Sequence, residues 1–327
     1  HDWQRALPRV ISVRGGRPHE LRSFTAIDED TVHASTASCH HGARLPEPLP
    51  VDLRASYTDE HVYLRLSWAD ATPDRTMQQW VHDGERWQNT AALEDGFGLL
   101  WDARGSFSQF TCAYACHIND FGVSRANFHA TNRMRLNDEQ TWLDLWNWKA
   151  ARTAPLGFAD DRYLDHTGMH GDLPGDLFRA NSRADRNPDA GIEPFTEQDQ
   201  PIYDADRQPA GHGFRSPGTT APGFLVDRPQ GHRADVLAIT SYRDGRWTVV
   251  LRRALQTGDP RDVVFVPGDR VGVAFGLALM DHTRYEHYAS RTMERLVLLA
   301  PEAGRGGPGT PEADQLFTGQ VRLAQRD

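Results

Sequence analysis

Alternation of apolar and polar positions is clearest in two pairs of segments. Val51-Asp-Leu-Arg-Ala-Ser-Tyr57 and Val62-Tyr-Leu-Arg-Leu-Ser-Trp68 flank a turn at Thr58-Asp-Glu60 and predict a β-hairpin with one buried face. Ala234 to Tyr242 and Trp247 to Arg253 flank Arg243-Asp-Gly245, and the Asp-Gly dipeptide predicts a second hairpin. Arg9-Val-Ile-Ser-Val-Arg14, the glycine-bracketed Gly96-Phe-Gly-Leu-Leu-Trp101, Asp269 to Leu279 and Arg291 to Leu299 read as further strands.

Trp142-Leu-Asp-Leu-Trp-Asn-Trp-Lys149 is dense in large apolar residues, as a strand covered on both sides would be. A period of two places Trp142, Asp144, Trp146 and Trp148 on one face and Leu143, Leu145, Asn147 and Lys149 on the other. Short strands, hairpin turns and few helical patterns predict an all-β fold, an antiparallel β-sandwich with long loop insertions. Residues 1–300 form the sandwich in this reading. Residues 74–94, anchored by Trp80 and Trp87, are an excursion, and about 160–233 is a loop-rich insertion without a core of its own. A Gly/Pro-rich stretch opens the tail at 301–327.

Composition narrows the function. The 327 residues carry a net charge of -9 with 25% charged side chains, which describes a globular protein and argues against nucleic-acid binding. No run approaches the roughly 18 apolar residues of a membrane helix. The chain begins at His1 without an initiator methionine, as a secreted, periplasmic protein relieved of its signal peptide would.

The candidate chemistry centres on Cys112-Ala-Tyr-Ala-Cys116-His117. Two thiols and an imidazole within six residues point to a bound metal cofactor, since the chain has only three cysteines. The nearest template is the Cys-x-x-Cys-His of c-type haem attachment, with one residue more between the cysteines here. A disulfide beside an ordinary histidine is the alternative. Cys39-His40-His41 is a second group of potential ligands, read either as a second haem held by Cys39 and His40 or as a disulfide partner. Met134, His129, His166, Met169 and His170 are further potential ligands. Lys149 is the only lysine in a chain otherwise supplied with arginine. Arginine cannot replace a compact ammonium or a neutral amine, so Lys149 is read as functional.

The order of these features resembles the haem-binding γ subunit family of ethylbenzene dehydrogenase and dimethylsulfide dehydrogenase. The resemblance rests on Asp95-Gly-Phe-Gly-Leu-Leu-Trp101, the ligand-bearing loop, Leu145-Trp-Asn-Trp-Lys-Ala150, Gly245-Arg-Trp-Thr-Val-Val-Leu251 with Thr257-Gly-Asp259, the strand Val271 to Leu279, and a ligand ahead of Tyr288. It implies an immunoglobulin-like, DOMON-type sandwich holding one haem b with methionine and lysine axial ligands. Such subunits pass electrons between a molybdenum/iron-sulfur partner and a cytochrome and do no catalysis themselves.

The chain departs from that pattern at both ligand positions. The family's methionine gives way to Cys112, Cys116 and His117, with Met134 as the substitute for His117, and its lysine gives way to His287. Two axial histidines would give a low-spin iron suited to electron transfer, at a lower potential than with methionine. Cys112 and Cys116 would make the haem c-type; without thioethers it would be b-type. Lys149 and Trp146 would bind the cofactor, with Lys149 pairing with a propionate or, as the alternative, with a nearby carboxylate. The competing reading is a non-redox sandwich that binds a sugar or other small ligand on its tryptophans. A metal-dependent hydrolase is disfavoured because no His-Glu-x-x-His, Gly-x-Ser-x-Gly or phosphate loop is present.

Overall fold

The computed structural model describes residues 3, 9–14, 49–106, 136, 139–173, 175, 177–184, 195, 199–211, 215–282, 288–290, 294–300 and 321–325. Among them no helix is long and apolar enough to cross a membrane, and the architecture is antiparallel β. The strands are β1 (Arg9–Arg14), β2 (Leu49–Tyr57), β3 (His61–Ala69), β4 (Trp80–His82), β5 (Trp87–Asn89) and β6 (Gly96–Trp101). Then follow β7 (Leu143–Lys149), β8 (Asp160–Asp165), β9 (Gly168–Gly171), β10 (Phe178–Ala180), β11 (Thr220–Ala221) and β12 (Phe224–Val226). The last are β13 (Leu237–Arg243), β14 (Arg246–Ala254), β15 (Val273–Met280), β16 (Tyr288–Ser290), β17 (Glu294–Leu298) and β18 (Val321–Gln325).

One sheet runs β13-β14-β3-β2-β1-β16-β15-β6-β7-β8-β9, with β17 and β18 paired beyond β15. It doubles over between β1 and β16, so β2, β3 and β14 face β15, β6 and β7 across an aromatic core. Trp68 meets Phe97 at 5.9 Å and Trp148 at 6.0 Å, and Trp148 meets Trp247 at 5.3 Å, mostly edge to face. Each of these rings is fully buried, and burying such a side chain stabilises the fold by about 2–3 kcal/mol. At the far edge Ala159 N donates to Val236 O and Ala238 N to Gly157 O, tying the approach to β8 onto β13.

Both hairpins read from the alternation are present. In the second, Arg243 pairs with Arg246 while Asp244 and Gly245 take φ of 51° and 69°. A two-residue turn with both central residues left-handed matches the twist of the strands, which is why Asp-Gly specifies it. Ala234, expected to open a strand, instead closes a 3-10 turn at Gly231–Ala234, and β15 starts at Val273 because Gly272 turns with φ of 65°.

The sequence expectation missed the short strands β4, β5 and β8 to β12. β8 and β9 extend the main sheet, while β4, β5 and β11 form a separate three-stranded sheet. There Trp80 and Trp87 pack with Phe195, Ala210, Ala221 and Phe224, so the 74–94 excursion and the 160–233 insertion share a small core. The tail also contributes a strand, β18, paired with β17.

Gly245→Val places a β-branched side chain at a left-handed position. It is expected to cost about 1–2 kcal/mol, read as a shift in the urea midpoint.

Candidate functional site

Three neighbouring strands, β15, β6 and β7, send their bulk inward and keep little outside. Phe97, Leu99 and Trp101 of β6, Phe275, Leu277 and Leu279 of β15, and Trp146 and Trp148 of β7 all belong to the inner core. The alternate positions are Gly96, Gly98 and Leu100, then Ala274, Gly276 and Ala278, then Leu143, Leu145, Asn147 and Lys149. Register sets Gly96 between Lys149 and Met280, and Gly98 between Asn147 and Ala278. The outer positions of β6 and β15 are mostly small, the Leu145 and Met280 side chains come over Gly98 and Gly96, and the outer glycines, alanines and leucines are buried although they point away from the core.

A side chain at Gly98 would fill that surface: a Cβ there would lie 3.3 Å from Leu145 Cδ1 and 3.7 Å from Asn147 Nδ2. At Gly96 it would lie 2.9 Å from Trp148 O.

Lys149 Nζ donates to Asn147 Oδ1 and sits 5.0 Å from the Phe178 ring centroid. Its backbone N donates to Thr153 Oγ1 at 2.8 Å. Burial, then repulsion from Arg152, pull its pKa down to about 7, against the pull of Asp160 and Glu94. Those carboxylates are engaged elsewhere: Asp160 with Arg233 at 2.7 Å, and Glu94 with Arg152 and the backbone N of Ala151 at 2.8 Å. Lys149 therefore holds an amine close to neutral at the border of the outer face. Trp146 lies on the other side of the same strand, against Trp101 at 4.9 Å and under the Arg253 guanidinium at 5.3 Å. It serves the inner core, so Trp146 and Lys149 do not line one surface.

Cys112, Cys116, His117, Met134, His287, Cys39 and His40 all lie outside the described residues, as do His41 and His129. The roots of their segments are described. Residues 107–135 are bounded by Ser106, whose N donates to Asp102 Oδ1, and by Leu136, whose N donates to Asp165 O. Both roots lie at the end of the sandwich where β6 and β8 finish. Residues 283–287 leave from the opposite end, after Met280, and return at Tyr288, which pairs with Leu279. Residues 15–48 also root at that opposite end, since Val13 pairs with Leu49 and Ser290. Of the other potential ligands, His170 Nε2 bonds Asp165 Oδ1 at 3.1 Å and stacks on Tyr163, and His166 and Met169 share its hairpin.

Asp95 organises the end that carries 283–287. Its Oδ2 accepts from Trp247 Nε1 at 2.9 Å and Asp74 N at 2.8 Å, and its Oδ1 accepts from His282 N at 3.1 Å. Burial foremost, with Asp70 adding repulsion, pushes its pKa up to about 7. Asp70 and Asp281 stand beside it as an acidic group. A second acidic group, Asp144, Asp161 and Asp262, lies at the opposite end. Sequence reading missed both, because their members are far apart in the chain. Asp95 alone had a signal, as the first residue of Asp95-Gly-Phe-Gly.

Two substitutions test these environments. Asp95→Asn presents an N–H to at least one donor it now accepts from, and is expected to cost about 1–3 kcal/mol in a denaturant melt. Lys149 has a folded pKa below its unfolded value, so its stability contribution is full above about pH 10.5 and is lost as pH falls through about 7. Lys149→Met should therefore be more stable than the parent by on the order of 1–2 kcal/mol near pH 6, with the gain shrinking toward pH 10 in paired urea melts.

Among curated proteins, none matches this chain. The sequence profile of one family, described as ethylbenzene dehydrogenase, matches residues 2–290. That match spans the strands of the aromatic core and the outer face as well as the segments rooted at both ends of the sandwich. The chain belongs to the ethylbenzene dehydrogenase family.

Proposed function

We propose that the protein is a haem-binding electron-transfer subunit of an ethylbenzene dehydrogenase-like complex, lying in the periplasm. Family membership across residues 2–290 points to a subunit of such a complex. The observation that carries the haem reading is the Cys112-Ala-Tyr-Ala-Cys116-His117 segment inside the family match, with the small outer residues Gly96, Gly98, Gly276 and Ala278 of β6 and β15 as the face that would line the pocket. A subunit of this kind does no catalysis. It takes electrons from a molybdenum/iron-sulfur partner and hands them to a cytochrome.

In this reading His117 and His287 hold the iron and Cys112 and Cys116 anchor the ring. Haem supplies reversible one-electron chemistry when bound. The chain's own residues would line the ring, with Lys149 available to a propionate. Tether lengths favour His117 over Met134. Leu136 and Tyr288 sit at opposite ends of the sheet and four strands apart, a separation of roughly 25 Å from strand spacings. Met134 is two residues from Leu136, a reach of about 7 Å, whereas His117 is eleven residues from Ser106 and can reach up to about 37 Å. A second haem at Cys39-His40 would root at the same end as 283–287.

The test is the visible spectrum of protein produced with periplasmic haem loading, together with the mass of the denatured chain. The expected result is a low-spin Soret band, with one porphyrin mass retained on the chain through Cys112 and Cys116. His117→Ala and His287→Ala should each convert it to high spin or lose the pigment, while Met134→Ala should not. A folded, colourless parent protein overturns the reading.

A further inference from the structure

We infer that Asp144, Asp161 and Asp262, with Asp172 at their border, form a binding site for one hard divalent cation, Ca²⁺, in the interior of the sandwich. The inference stands apart from the haem reading. It begins with a register: β7 and β8 pair Trp146 with Asp161 and Asp144 with Tyr163, which puts Asp144 and Asp161 on the inward face with the Trp146 ring. The loop after β14 brings Asp262 to them, held by Thr257 Oγ1, so that carboxylate oxygens from all three lie within 4.8 Å of one another. Asp144 and Asp161 are 0% exposed and Asp262 5%.

Among the described residues one cation of the chain is present, Arg253, and its reach is partial. Its Nη2 lies 2.6 Å from Asp262 Oδ2 and 3.5 Å from Asp144 Oδ2, but its Nε is 3.9 Å from Asp161 Oδ2. Its Nη1 is taken by Val263 O at 2.7 Å. Both oxygens of Asp161 and Oδ1 of Asp144 accept no hydrogen bond. The independent observation is Asp172, where the chain leaves β9. It is 7% exposed, neither of its oxygens has a hydrogen-bond partner, and its backbone N donates to Asp161 O. Buried carboxylate oxygens without donors are costly, because desolvation is not repaid. Three carboxylates around one guanidinium, with Asp172 next to Asp161, leave a negative excess that a divalent cation would offset.

The donor set selects the ion. Among the described residues it offers carboxylate oxygen and no imidazole or thiolate, which suits Ca²⁺ or Mg²⁺ over zinc and copper. Burial favours Ca²⁺ over Mg²⁺, because Mg²⁺ dehydrates reluctantly and keeps several waters. At the other acidic group, three N–H donors already occupy Asp95. Bound at Asp161, the ion would cross-link β7, β8, the exit of β9 and the loop after β14, at the end where 107–135 is rooted.

The experiment counts calcium per chain by plasma mass spectrometry after desalting, and follows the thermal midpoint of the EDTA-treated full chain on adding CaCl₂ or MgCl₂. The expected result is one Ca²⁺ per chain and a midpoint rise on the order of 5 °C with CaCl₂, with little response to MgCl₂. Asp161→Asn and Asp172→Asn should lose both, and Asp281→Asn, in the other acidic group, should keep both. Asp172 borders the site, so its variant decides should Asp161→Asn fail to fold. A chain without bound calcium, insensitive to EDTA and losing stability as pH rises from 6 to 9, shows that these carboxylates hold protons instead and overturns the inference. Calcium retained in Asp172→Asn overturns it too. Neither result depends on haem content.

Discussion

The alternation of side chains along β6 is the constraint from which the rest follows. Phe97, Leu99 and Trp101 fill the space between the two layers, and they do so against Trp68, Trp148 and Trp247. With that volume taken inside, the opposite face of β6 needs no bulk to hold the strand in place. Gly96 and Gly98 can then go without side chains and not loosen the sandwich, although glycine in a strand interior weakens it when nothing packs there. The same division recurs on β15 and β7, where Gly276 and Ala278 flank one side and Leu145 the other. Register carries the pattern across all three strands, because a slip of one residue would send the tryptophans outward.

Charge is handled differently at the two ends of this frame. Near Met280, Asp95 spends its buried carboxylate on three N–H donors that join β14, the turn after β3 and the start of the segment leading to His287. A buried charge supported by that many donors acts as a clamp. Near Leu143, burial first and neighbouring acids next push Asp144 to about 7 and Asp172 to about 8, with Arg253 opposing at Asp144. Such groups stabilise the fold fully below about pH 4, and that contribution is lost as pH rises through 7 to 8. The acidic interior is thus a liability at neutral pH unless a counter-charge is supplied.

Much of the main sheet was legible in the sequence because its signal is local. The hairpins Val51 to Trp68 and Leu237 to Arg253 alternate over whole strands, and Asp244-Gly245 names its own turn. The period of two also separated Trp146 and Trp148 from Asn147 and Lys149 correctly. It did not say which face meets a ligand, and Trp146, assigned to a cofactor, packs in the core with Trp101 and Phe265. Strands of two to four residues, such as β4, β10 and β11, carry no period to read, and polar β8 lacks the apolar alternation that marks a strand. The acidic group at Asp161 was invisible for another reason: its members come from β7, β8 and the loop after β14, and only the register of the sheet joins them.

The haem reading places the outer face of β6 in the wall of the cofactor pocket, and filling that face tests it most directly. Gly98→Phe adds a ring at the centre of the face while leaving Phe97 and Leu99 inside. The measurement is haem per chain by the pyridine haemochrome absorbance, with near-ultraviolet circular dichroism to show that the tryptophan core is intact. The account predicts a native core with at least a tenfold loss of pigment relative to the parent; a native core with full pigment content would contradict it.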